Sequence, residues 1–477
     1  MSESDKSETP ERVEVERPER SASEQLTGPW GPYTVTAGTL NLRGKDGKER
    51  ASVFSVAYVL DTDSPRQRPV TFCFNGGPGS SAVWLQFGAL GPKRVEIPDI
   101  ASAPPPPNHL VDNLEGILDL TDLVFIDPVG TGFSRAVGKV EDKEFHSVKE
   151  DVESIGEFIQ RWCSRNGRWT SPKFLAGESY GTTRSGGLAL YLQDRGIALS
   201  GVVLISLALN FQTFVAEPGN DLPHLLYLPS FAALAAYHGV VQPPGSLEAW
   251  LAEARTYALE VYAPALLQGS ALSGARRSEV AARLAAYTGL PAEEIERRGL
   301  RIPYLWFART LLGRGSQTIG RLDGRYVGPD LDPHGQQLQR DPSYDAPLSA
   351  YTSAVNDFLR REIGFESEDL YEVLSMDVNQ GWRWGTEGRL GFVNTTEDLR
   401  KALVANPHLE VYVGSGVYDL ATPFFAAEYT IAHLGVDPEL AANVTVCDYP
   451  AGHMMYFHEP SRKKLRADLA AFYARAL

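Results

Sequence analysis

Four groups of residues have the types and spacing that nucleophilic catalysis needs. Gly177-Glu178-Ser179-Tyr180-Gly181 follows the apolar run Lys173–Ala176 and precedes a helical pattern at 184–194. Gly-x-Ser-x-Gly in that setting is a nucleophile elbow: a tight strand-to-helix turn lifts the serine hydroxyl, and the glycines let neighbouring backbone pack against it. Asn75-Gly76-Gly77-Pro78-Gly79-Ser80-Ser81 follows another apolar run. Its glycines allow backbone N–H groups to approach a reacting carbonyl, so Gly77 and Tyr180 are the expected oxyanion donors. His453, in Pro450-Ala451-Gly452-His453-Met454, lies just after the run Asn443–Tyr449 and is the expected general base, with His458 as its rival. Asp419 follows Leu409–Tyr418 and lies 34 residues before His453, in the order nucleophile, acid, base. Asp437 and Asp448 are alternatives for the acid, and His146, His334, His408 and His238 read as surface, loop or helical residues.

These residues need a rigid scaffold. Strands are predicted at 33–42, 51–60, 69–75, 123–127, 173–176, 201–207, 409–413 and 443–449. Runs rich in Val, Ile and Phe without alternation suit a sheet covered on both faces. Between them lie helical patterns. In 148–162, Val152, Ile155, Ile159 and Trp162 share one face, Asn394-Thr395-Thr396-Glu397 opens another helix, and 424–434 is a third. Strand–helix alternation predicts an α/β architecture with a mostly parallel central sheet flanked by helices. The interval 213–385 reads as a helical insertion, with stretches at 229–238, 247–262, 276–286 and 350–362 and no clear strand. Residues 1–25 carry eight acids, four bases and no aromatic, so 1–28 reads as a disordered acidic tail. The expected division is therefore tail 1–28, sheet domain 29–212, insertion 213–385 and sheet domain again 386–477.

The chain has 477 residues, and 60 acidic against 45 basic side chains leave a net charge of −15. That balance argues against a nucleic-acid partner bound through phosphate neutralisation. No run of 18 apolar residues and no apolar leader is present, so neither a membrane span nor a secretory signal is expected. Cys73, Cys163 and Cys447 are too few and too scattered for a disulfide framework or a cysteine-based metal site. Together these features suggest a cytoplasmic protein with reduced thiols.

With these motifs in hand, the chain resembles the serine carboxypeptidases of peptidase family S10. Asn75–Gly79, Asp127-Pro128-Val129-Gly130-Thr131-Gly132-Phe133-Ser134, Gly177–Gly181 and Gly452-His453-Met454 carry the resemblance. It implies an α/β-hydrolase fold with a helical cap. It also implies Ser179 as nucleophile, His453 as base and Asp419 as orienting carboxylate, with Gly77 and Tyr180 as oxyanion donors. Asn75, Gly76 and Glu178 would bind the C-terminal carboxylate of a peptide substrate, and no metal or cofactor is required. Two carboxylates in one site cannot both stay ionised, so Glu178 is expected to carry a raised pKa. Departures point to a disulfide-free branch: Ser80 stands where the family often has a bonded cysteine. Ala89 stands where it often has a glutamate of the carboxylate-binding network, and Arg184 follows the elbow in an unusual continuation. An esterase or acyltransferase on the same scaffold is the rival reading. A catalytically silent binding protein is the more distant one.

Overall fold

In a computed structural model, residues 15–97, 104–313, 317–332, 338–385 and 391–477 are described. Residues 1–14 of the expected tail and His334 lie outside them. The main sheet is built from β1 (Ser21–Gly28), β2 (Gly31–Arg43), β3 (Glu49–Leu60), β4 (Val70–Phe74), β5 (Asp122–Ile126), β6 (Lys173–Glu178), β7 (Gly201–Ile205), β8 (Glu410–Gly416) and β9 (Val444–Tyr449). Their order is β1-β2-β3-β5-β4-β6-β7-β8-β9, with Arg135–Ala136 added beside β3. The first three pair antiparallel; β5, β4, β6, β7, β8 and β9 run parallel. The exchange of β4 and β5 in the order, followed by parallel strands joined by helices, is the topology of an α/β-hydrolase sheet. It places the carboxyl ends of β4, β6, β7, β8 and β9 along one edge, where ligands of open α/β sheets bind.

Period-two geometry explains the uniformly apolar strands. In β4, Val70, Phe72 and Phe74 join one core, while Cys73 joins the other and Thr71 bonds Tyr473 at 2.6 Å. In β7, Val202 and Leu204 face one way, and Val203 and Ile205 the other. One face is covered by α1 (Val148–Asn166), α2 (Tyr180–Gln193) and the helix Thr396–Ala405. Ser147 caps α1 by accepting from the Glu150 N–H, and Gly167, in the left-handed region at φ 64°, ends it. The three cysteines are free. Among the described residues no helix is long and apolar enough to cross a membrane.

Three expectations need correction. Residues 21–28 are not tail: they form edge strand β1, in full register with β2, and Ala22 and Leu26 pack against the core. Counting charge over the whole stretch hid these two apolar residues. The interval 213–385 does contain strands, the short hairpin Gln317–Ile319 with Val327–Pro329. Nor does all of it form a separate cap. The helix Pro342–Asp357 and its continuation Phe358–Glu362 place Tyr351, Val355 and Phe358 in the sheet core, beside Leu469 and Phe472 of the last helix, Glu459–Ala476. The part that stands apart runs from about Leu222 to Ile319, with its own core of Phe231, Trp250, Leu284 and Phe307.

At the amino ends of the parallel strands, Asp122 is buried between Arg168 at 2.7 Å and Arg68 at 3.0 Å. Removing Arg168 would leave Arg68 on Oδ1 but strip Oδ2 of its charged donor and break the bonds from Arg168 to Ser171 Oγ and Arg68 O. Arg168→Met is expected to lower unfolding free energy by about 3 kcal/mol, read as a shifted urea midpoint at unchanged slope.

Candidate functional site

Ser179 sits where β6 turns into α2, with φ 59° and ψ −128°. A side chain in the left-handed region is strained, and the surroundings must hold it. They do so closely. A Cβ on Gly177 would meet Gly181 O at 2.2 Å, and one on Gly181 would meet Phe74 O at 2.7 Å. The Ser179 N–H donates to Ile205 O at 2.9 Å, tying the elbow to the end of β7. Tyr180 opens α2, so its N–H is among the donors a helix start leaves unpaired.

The loop after β4 lies against this turn. A Cβ on Gly76 would fall 2.4 Å from Tyr180 N, so only glycine brings the loop this close. Gly77, at φ 103°, follows directly. The Asp127–Ser134 motif acts as a buttress: Asp127 Oδ1 accepts from Ala82 N–H at 2.8 Å. A Cβ on Gly132 would strike Asp127 Oδ2 at 1.8 Å. Ser80 is held to the 370s segment by a bridge to Leu374 and a hydrogen bond to Val373 O, in place of a covalent link.

Asp419 and His453 come together from the ends of β8 and β9. His453 Nδ1–H donates to Asp419 Oδ2 at 2.6 Å, and both side chains are buried. Asp419 also accepts from Ala421 N–H, Thr422 N–H and Thr422 Oγ1, at 2.6, 3.1 and 2.8 Å. Burial alone pulls the His453 pKa down; the Asp419 charge and hydrogen bond outweigh it, and the imidazole ends above its ordinary value. The alternatives are engaged elsewhere. Asp437 is exposed ahead of the helix Pro438–Ala441, Asp448 pairs with Arg255 at 3.1 Å, and His458 contacts Ser461 Oγ at 2.8 Å. His146, read as a surface residue, is instead buried and stacked on Trp382, which packs against Tyr180.

A strap at residues 321–325, just after the cap core, joins these two loops; no motif announces it. Leu420 N–H donates to Arg321 O at 3.0 Å, Gly324 N–H to Tyr418 O at 3.0 Å, and His453 N–H to Leu322 O at 2.7 Å. Arg325 pairs with Asp323 and reaches Pro450 O at 3.2 Å. On the other side, Ser206 Oγ donates to His453 O at 2.6 Å, next to the Ile205 carbonyl that holds Ser179. Ser179 and His453 are thus anchored to the same strand end.

Asn75 and Glu178 meet behind the elbow. Asn75 Oδ1 accepts from Leu85 N–H at 3.0 Å, which orients the amide so that Nδ2 donates to Glu178 Oε1 at 2.9 Å. Glu178 is 3% exposed, and burial raises its pKa to about 7 against the opposing pulls of His453, Tyr456 and Asn75. Tyr456 bears on Glu178 electrostatically, although neither its hydroxyl nor Glu178 Oε2 makes a hydrogen bond of regular geometry. Its ring occupies the room left by Gly88: a Cβ there would lie 2.4 Å from Tyr456 Cε2. Arg184 does not reach a substrate. It is 1% exposed, pairs with Asp151 at 2.8 Å and donates to Asn75 O at 2.8 Å, bracing the elbow from behind. Among the described residues no group of His, Cys, Asp or Glu is arranged to hold a metal ion.

Residues 44–189 match the family model described as serine carboxypeptidase, peptidase S10. Among curated proteins, serine carboxypeptidase-like 9 of Arabidopsis thaliana is 24% identical over 202 residues, 42% of each chain. Serine carboxypeptidase-like 5 from the same plant is 26% identical over 151 residues, 31% of this chain and 32% of that protein. The similarity thus spans less than half the length of these relatives. Among solved structures, a proline iminopeptidase of Mycobacterium smegmatis aligns over 92% of this chain and 98% of its own, at 12% identity and TM-score 0.38. A carboxyl esterase of Bacillus coagulans gives the same identity, coverage and score.

Glu178 has a consequence for stability. Its pKa is 4.5 when unperturbed and about 7 here. Between those values the folded form holds a proton that the unfolded chain has lost, so stability falls as pH rises through this window. Asp127, raised to about 7 by burial, acts in the same sense. Glu178→Gln is expected to remove on the order of 3 kcal/mol of the decline, measured by urea unfolding at pH 5 and pH 8.

Proposed function

Residues 44–189 are a segment of the S10 serine carboxypeptidase family, and from that premise we propose that the chain is a serine-type carboxypeptidase. The observation that carries the reading is the buried Asp419–His453 hydrogen bond, set on the same edge of the sheet as a strained Ser179. Ser179 Oγ attacks the carbonyl carbon of the last peptide bond while His453 Nε2 takes its proton. Asp419 stabilises the imidazolium that results. Negative charge on the carbonyl oxygen is received by the N–H groups of Gly77 and Tyr180. His453 returns the proton to the leaving amine and the C–N bond breaks, freeing the C-terminal amino acid. Water, deprotonated by His453, then hydrolyses the acyl-Ser179 ester. The residues require no metal or cofactor for these steps.

Asn75, Gly76 and protonated Glu178 bind the substrate's terminal carboxylate in this scheme. A Glu178 pKa of about 7 lets a proton sit between two carboxyl groups up to neutral pH. The rival, an esterase or acyltransferase, is favoured by one observation. Ala89 brings no carboxyl to this network.

Blocked dipeptides with free and with amidated C-termini, and a matching ester, separate the two. The carboxypeptidase reading expects KM for the free acid to rise as pH climbs through about 7, with the ester spared. Glu178→Gln should remove that rise. Ser179→Ala should abolish turnover and fluorophosphonate labelling. Parallel pH profiles for acid and ester would favour the esterase.

A further inference from the structure

Arg321 stands between the two loops that carry the acid and the base. Its carbonyl accepts from the residue after Asp419, and the carbonyl of the next residue, Leu322, accepts from His453 N–H. Its own N–H donates to Asp341 Oδ1 at 3.1 Å. The backbone is thus fully occupied in holding the strap.

The side chain is not. It is exposed to solvent. Tyr304, Tyr227, Asp341, Asp419 and His453 all lie within its electrostatic reach. Tyr227 and Tyr304 form a stacked pair there, with centroids 5.9 Å apart. The two acids already have donors. Asp419 has His453, Ala421 and Thr422; Asp341 accepts from Arg321, Leu322 and Ser343. Arg301, Arg309 and Arg325 of the same region are each paired with a carboxylate. Among the described residues the Arg321 guanidinium makes no such pair.

We propose that Arg321 is a specificity-determining residue that binds a carboxylate of the substrate, held by the strap beside the base. A guanidinium presents a planar fork that fits a carboxylate and stays charged at any working pH. Glu178 needs a shared proton for the same ligand; Arg321 does not. The protein carries a net charge of −15, so an anionic substrate approaches against the average field and gains from a local cation. The carboxylate is either the C-terminus or an acidic side chain next to the scissile bond. The inference rests on the proposed nucleophile only for turnover, and binding tests it independently.

The experiment uses N-acyl dipeptides with Glu or Gln on either side of the scissile bond, each as free acid and as amide. Affinities are measured by calorimetry on the Ser179→Ala protein, and kcat/KM on the protein with Ser179 intact. Carboxylate-bearing ligands should bind better than their neutral isosteres. Arg321→Gln should erase a preference of roughly tenfold or more, Arg321→Lys should keep part of it, and Arg321→Glu should reverse it. Glu against Gln, and acid against amide, show which carboxylate is read. An unchanged preference in Arg321→Gln overturns the assignment. So does an equal loss on charged and neutral ligands, which would make Arg321 a brace only. An Arg321-dependent preference without turnover would fail the peptidase reading and leave this one standing.

Discussion

A buried carboxylate must find donors, and Asp419 finds four contacts within one loop and one imidazole. Two come from backbone N–H groups two and three residues downstream, one from Thr422 and one from His453. The arrangement satisfies the acid with donors and fixes the imidazole through Nδ1. It also dictates much of the surrounding structure. The loops after β8 and β9 must approach closely enough that a Cβ on Gly416 would meet Gly452 O at 2.1 Å. The loops bond each other directly, Tyr418 N–H donating to Ala451 O at 2.9 Å. Tyr418 and Leu420 are buried in the cap core on either side of Asp419, and the 321–325 strap bonds to both loops.

A second buried carboxyl has different surroundings. Glu178 directly precedes Ser179 and is buried like Asp419, yet it receives one amide donor. Desolvation therefore dominates there and raises the Glu178 pKa to about 7, so this carboxyl holds a proton near neutrality. Arg184 would disturb this balance if it faced the cleft. Its pairing with Asp151 and its stacking over Tyr180 and Phe74 turn it into a support for the elbow.

The sheet was readable from the chain because eight apolar runs of β-branched and aromatic residues each met a turn or helix signal. The tight turns at Gly76–Gly79 and Gly177–Gly181 were readable because local backbone geometry demands glycine at known offsets. What could not be read depends on contacts between distant segments. Edge strand β1 is mostly polar and earns its place by pairing with β2 along its whole length. The helix Pro342–Asp357 resembles its cap neighbours in composition, yet its Tyr351 and Val355 face the sheet. The strap residues carry no signature, since their backbone atoms do the holding. His146 looked like any loop histidine until Trp382, more than two hundred residues away, covered it.

The strap also bears on how the molecule comes into being during synthesis. Ser179 and the Gly77 loop emerge early, and the elbow can form as soon as β4, β6 and β7 align. Asp419 and His453 emerge near the end, after the 321–325 strap whose carbonyls accept from Leu420 and His453. A nascent chain therefore carries its serine for most of translation without a partner base. The full set of Ser179, Asp419 and His453 exists only when nearly the whole chain has been made.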